Sequence, residues 1–208
     1  VRSEITKHSI KYREILLSQK SAILKRLKKK SKTIQKGEVD VVLSLALEGF
    51  EDEWTKVLRD ENIKTLTNAM LYAGKTALES LDTETTFDLK NPRAVSWLTD
   101  NALGHAKSVV GTIKEEVKER IITMLDDGKS IDDISDAIGE FFDRQSQWRA
   151  LRIARTEVIS GYAEGSLEGY RQSGVVKQKR WLTAGDDRVD PECSENEADG
   201  AINLEANF

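Results

Sequence analysis

A single cysteine, Cys193, stands in a chain of 208 residues, so an intrachain disulfide framework is excluded. Prolines are as scarce: only Pro92 and Pro191 occur, which argues against a turn-rich all-β sandwich. No apolar run approaches the roughly 20 residues needed to span a bilayer, so no membrane partner is expected. Val1 opens the sequence without a basic-then-apolar leader, and no secretory signal is expected either. What is abundant is charge and helix formers. Asp, Glu, Lys and Arg make up 33% of the chain and apolar residues 38%, polar for a globular protein but too apolar for a disordered one. At 23.4 kDa the chain can bury one sizeable core or two small ones. Long stretches of Ala, Leu, Lys, Glu and Ile point to a mainly α fold. Long helices should form a bundle-like core, with a small β element at the C-terminal end.

The net charge of −4 hides a polarity along the chain. Residues 1–36 carry twelve Lys and Arg against Glu4 and Glu14, a balance of +10, which leaves −14 for the rest. Residues 184–208 alone hold eight acids against Arg188. A basic arm and an acidic end imply different partners. The densest basic stretch contains Lys25, Arg26, Lys28, Lys29, Lys30, Lys32 and Lys36. It fits phosphate neutralisation, which needs no sequence-specific geometry, and DNA is therefore one candidate partner. It fits equally a solvated or protein-docking basic face, because no aromatic side chain interleaves it to stack on bases.

Periodicity divides the chain into a helical arm (1–36), a helical domain (37–174) and a small β-containing module (175–208). In the arm Ile5, Tyr12, Leu16, Ile23, Leu27 and Ile34 fall within an arc of about 60° on a helical wheel. A stripe that narrow on a long helix needs a partner helix, and Gly37 should end the segment. Two helices are expected between 38 and 81, separated near Arg59-Asp60-Glu61-Asn62. Asp82–Leu89 has no helical period and should be a loop or short strand. Asn91-Pro92 marks a helix start. The next helix carries Val109, Ile113, Val117, Ile121 and Leu125 at spacing four and stops at Asp126–Lys129. Ser130 should cap a helix over Ile131–Phe142, and a last long helix should run from about Gln145 to Gln172, ending at Ser173-Gly174. Val175–Thr183 and Ala201–Leu204 read as strands, with a turn at Ala184–Asp187.

Inside the last long helix Gly161, Gly165 and Gly169 recur every fourth residue, a ridge that suits close backbone approach. Arg155 shares a helical face with Leu151, Val158 and Tyr162, so a buried, paired arginine is expected there; Glu157 points the other way and should contact whatever covers that side. Trp181 is the largest apolar group of the β module and should anchor it against the glycine ridge. The acids of Asp186–Asp190 fail the calcium-loop template, because Arg188 stands at the third position and no Gly at the sixth. Cys193 alone cannot hold zinc, and His8 and His105 are too far apart in sequence to define a site. No nucleophile–base pattern is present. No metal, cofactor or catalytic residue is expected.

One resemblance emerges from the second half of the chain. Arg149-Ala150-Leu151-Arg152-Ile153-Ala154-Arg155-Thr156-Glu157 is followed by Gly165, Gly174 and Lys179-Arg180-Trp181-Leu182-Thr183-Ala184-Gly185-Asp186-Asp187-Arg188-Val189. Pro191, Cys193 and Asp199-Gly200 complete the order. With the lead-in Asn91-Pro92 to Trp97-Leu98 and the helix–Asp-Gly-Lys-Ser–helix segment, residues 90–208 resemble the head-morphogenesis, or Mu F-like, minor capsid family of tailed bacteriophages. The first 80 residues do not contribute to the likeness. The resemblance implies a non-enzymatic protein of the virion head, present in the host cytoplasm during assembly. Its implied partners are the portal and other head proteins, with a link in some members to DNA packaging or ejection. It marks Arg155, Thr156, Glu157, Gly165, Trp181, Asp187, Arg188 and Cys193 as motif positions. Relatives usually continue past the Asp-Gly segment to a His- and Cys-containing motif absent here, so the C-terminal module is expected to be truncated.

Overall fold

The computed structural model describes residues 1–30 and 39–207. Ile34, Gly37, Lys32 and Lys36, and the side chain of Lys30, lie outside the described residues. Five long helices pack together: α1 (Arg2–Lys30), α2 (Val39–Leu47), α3 (Phe50–Glu79), α4 (Pro92–Asp126) and α5 (Ile131–Ser173). A small module follows, with β1 (Gln178–Arg180), α6 (Pro191–Ala198) and β2 (Ala201–Asn203). The two strands pair antiparallel, with Lys179 opposite Ile202. The mainly α architecture with a small C-terminal sheet is what composition and periodicity indicated.

Helix α5 is the spine. At 1.5 Å per residue it is roughly 65 Å long, and it packs along both α1 and α3, while α4 lies against α3. Most of the α1 stripe is used: Tyr12, Leu16, Ile23 and Leu27 are buried with Phe50 and Leu58 of α3, Ile113 and Ile121 of α4, and Ile138 and Phe142 of α5, and Ile5 is partly buried against the same cluster. A smaller cluster joins Leu66 and Met70 of α3 to Ala94, Leu98 and Ala102 of α4. The basic arm thus shares the core of the helical domain along its described length.

Local signals set the helix ends. Asn91 accepts from Arg93 N at 2.9 Å with Pro92 in the first turn of α4. Ser130 and Asp133 form a reciprocal capping box at the start of α5, and Gly174 closes α5 with φ 68°. Several boundaries differ from expectation: β2 stops at Asn203, and the two helices of 38–81 divide at Glu48-Gly49. No break occurs at Arg59–Asn62, because Asn62 turns inward and is satisfied there: it accepts from Tyr12 Oη at 2.9 Å and donates to Ala102 O at 3.1 Å. Nor is there a break near Asp143, since that residue faces outward to Lys20 of α1 at 2.7 Å and the helix runs through it. Strand β1 covers only Gln178–Arg180, not Val175–Thr183. Helix α6 was not anticipated, although Asp190-Pro191 is an N-terminal signature and Asp190 caps Glu192 N at 3.1 Å.

The glycine ridge makes the close approach expected of it, but to α3. A methyl group on Gly161 would lie 2.7 Å from Ala69 Cβ, and one on Gly169 2.7 Å from Gly74 O. The β module is held elsewhere. Leu204 is buried, and Glu205 bonds Arg93 of α4 at 2.9 Å and approaches Arg171 of α5 at 3.4 Å. Trp181 is 38% exposed and is not the buried anchor. A three-residue strand has too short a face to seat an indole, and the buried residue comes instead from the chain just after β2.

Candidate functional site

The motif helix brings its residues to a cleft between α4 and α5. His105, Ser108, Val109 and Thr112 line it from α4, and Arg149, Arg152, Ile153, Thr156 and Glu157 from α5, around a cavity of about 200 Å³. Residues at spacings of three and four on each helix share one face, which is why these two short runs meet. Glu157 is the deepest, 1% exposed, and its Oε1 lies 2.6 Å from His105 Nδ1. Its Oε2 is buried without a hydrogen-bond partner among the described residues. Arg149 is also buried; its Nη2 contacts both oxygens of Glu116, at 2.9 and 2.8 Å.

The hydrogen bond to Glu157 raises the His105 pKa above its ordinary 6.5, against the opposing effect of burial. The imidazolium donates through Nδ1 to a carboxylate that has lost its water. The stability supplied by this charge pair is fully present below pH 6.5, the unfolded value, and is lost as pH rises through the higher folded value. Because the ring is 38% exposed, the effect is screened to about 1 kcal/mol or less. We expect the difference in melting temperature between the wild type and His105→Gln to shrink from pH 5.5 toward high pH, followed by calorimetry. A pH-independent difference would remove the charged pair.

The remaining motif positions are scattered. Arg155 is exposed, not buried, and makes no ion pair or hydrogen bond with a described residue. The bulky Leu151, which would centre a buried face on a helical wheel, is itself 39% exposed. The buried face of α5 here is instead Arg149, Ala150, Ile153, Ala154, Glu157, Val158 and Gly161, with small Ala150, Ala154 and Gly161 among them where neighbouring helices come close. Thr156 is exposed at the cleft, whereas Gly165 sits against Met70 of α3. Asp187 and Arg188 occupy an exposed turn in which Arg188 pairs with Asp186 at 2.6 Å. Cys193 is half-buried on α6. Elsewhere in the module, Thr183 Oγ1 donates to Glu197 Oε2 at 2.6 Å and lowers that carboxyl's pKa. Lys25, Lys28 and Lys29 are exposed on α1, while Arg26 reaches Glu48 O and Glu53 on the neighbouring segments.

No local signal in the sequence marks His105, Arg149 and Arg152 as lining one cleft with Glu157. Only the crossing of α4 and α5 joins His105 to a carboxylate 52 residues away. Among the described residues no group of three or more His, Cys, Asp or Glu side chains could hold a metal ion. None of the described helices is long and apolar enough to cross a membrane.

The chain is 25% identical over 154 residues to the uncharacterized protein YqbB of Bacillus subtilis strain 168. The match takes in 73% of this chain and 50% of that protein, so the chain spans about half the length of this curated relative. No family model matches the chain, and no solved structure matches it.

Proposed function

We propose that this chain is a minor capsid protein of the head-morphogenesis type, acting without catalysis by binding portal and capsid partners during virion assembly. The observation that carries the reading is the ordered set of motif residues from Arg149 to Gly200. Their placement supports a binding role: several stand on the surface of α5 and of the C-terminal module, including Arg155, Thr156, Asp187 and Arg188. The same reading locates the protein in the virion head and, during assembly, in the host cytoplasm.

A second reading takes the basic run of α1 as a DNA-binding surface. It is favoured by the burial of the α1 stripe, which turns Lys25, Lys28 and Lys29 outward. One experiment separates the two. The chain is co-expressed with the portal and procapsid proteins of the same genome and run on size exclusion, with nucleic acid followed by absorbance. Co-elution with the portal after nuclease treatment is the expected result. Elution alone, with DNA retained at low salt and released at high salt, would favour the second reading.

A further inference from the structure

The open face of α5 next to the cleft has a composition that its own fold does not use. Trp148 is 53% exposed, Leu151 39% and Ile159 51%, and they recur at helical spacing over about three turns, roughly 17 Å. Arg152 and Arg155 stand between them. The Arg152 guanidinium lies 4.5 Å over the Trp148 ring, and neither arginine has an ion pair with a described residue. From Gln145 to Ile159 the one carboxylate of α5 is Glu157, which is buried. This is an acidic chain that keeps two arginines away from its described acids. At the edge of the same face Arg149 leaves its Nε buried and without a partner among the described residues.

We propose that this face binds an acidic amphipathic helix of a partner protein. The helix lays its apolar stripe on Trp148, Leu151 and Ile159 and sets its carboxylates on Arg152 and Arg155. Exposed Trp and Arg at the centre of a patch are the residue types that dominate binding energies, and carboxylates complement the charge. A second copy of this chain meeting the same face by two-fold symmetry would set arginines against arginines, which is repulsive. A nucleic-acid backbone would satisfy the arginines but gain nothing from Leu151 and Ile159. The inference rests on the reading of the chain as a partner-binding protein. Its failure is separable, because the peptide below tests this face alone and the portal experiment tests the assembly role.

The probe is a fluorescein-labelled peptide about five turns long, with Leu at the a and d positions of a heptad and Glu at the exposed ones. We expect the full chain to bind it, measured by fluorescence anisotropy. The double variant Arg152→Glu/Arg155→Glu and the single variant Ile159→Asp should each weaken binding about tenfold or more. Both changes lie on the surface, so unchanged melting temperatures should accompany the loss. The inference is overturned if the wild type does not bind the peptide, or if either variant binds it as the wild type does. Equal binding of a peptide with Ser in place of Leu, or competition by a DNA duplex or by phosphatidylserine vesicles, would also overturn it.

Discussion

Replacing Leu16 and Ile23 together with Asp is expected to abolish cooperative folding. Both side chains are essentially unexposed, at 1% and 0%, in the core that joins α1 to α3, α4 and α5. Removing each aliphatic group forfeits its burial and leaves a cavity, about 2–5 kcal/mol per site. Forcing a carboxylate into each space adds a further penalty for lost hydration. The sum exceeds about 5 kcal/mol, comparable with the whole stability of a domain, typically about 5–15 kcal/mol. Circular dichroism should show a lost or broad, low-temperature transition. Ile10→Asp is the matched control: Ile10 is on the same helix but 56% exposed, and its change should stay within about 0.5 kcal/mol. Equal melting curves for the double variant and the control would mean that α1 is not part of the core.

Gly165→Leu is the second large effect. A Cβ at Gly165 would stand 2.6 Å from Met70 O and 2.7 Å from Met70 Cα. The obstacle is backbone, so no rotamer change can relieve it and α3 and α5 must separate. Overpacking of well-packed sites commonly costs about 1–3 kcal/mol. Here the full side chain adds to the Cβ clash, and we expect at least about 3 kcal/mol, read from urea unfolding. Gly111→Ala provides the contrast, because a Cβ on Gly111 of α4 meets nothing within 4 Å. That change should be neutral or stabilise by up to about 1 kcal/mol through helix propensity. Destabilisation of the same size at both positions would show that helix backbone effects, not the α3 contact, decide the cost at Gly165.

What the sequence by itself determined is everything governed by neighbours a few residues away. The α1 stripe, the Asn91-Pro92 and Ser130 starts, the Gly174 stop and the weak pair of C-terminal strands follow from periodicity, capping and turn chemistry. The glycine ridge likewise declared that something approaches α5 closely, because three glycines in register weaken a helix unless a neighbouring backbone requires them. Tertiary structure decided the rest. It alone chose α3 as the ridge's partner, and it carried α3 through Asn62 by supplying Tyr12 and Ala102 O as hydrogen-bond partners. It also put Arg155 on the surface and covered Glu157, the residue expected to meet a neighbour on the other side, with α4. Bulk on a helical wheel suggested a face centred on Leu151, but tight packing selects small residues, so Ala150, Ala154 and Gly161 went inward and took Glu157 with them. Once Glu157 was inside, His105 could reach its Oε1 across the α4–α5 crossing. Local sequence encodes most of the helical segments and the ends that carry a cap or a stop, such as Asn91, Ser130 and Gly174. Which helix faces meet depends on side-chain volumes summed over several segments, and that sum exists only in the folded chain.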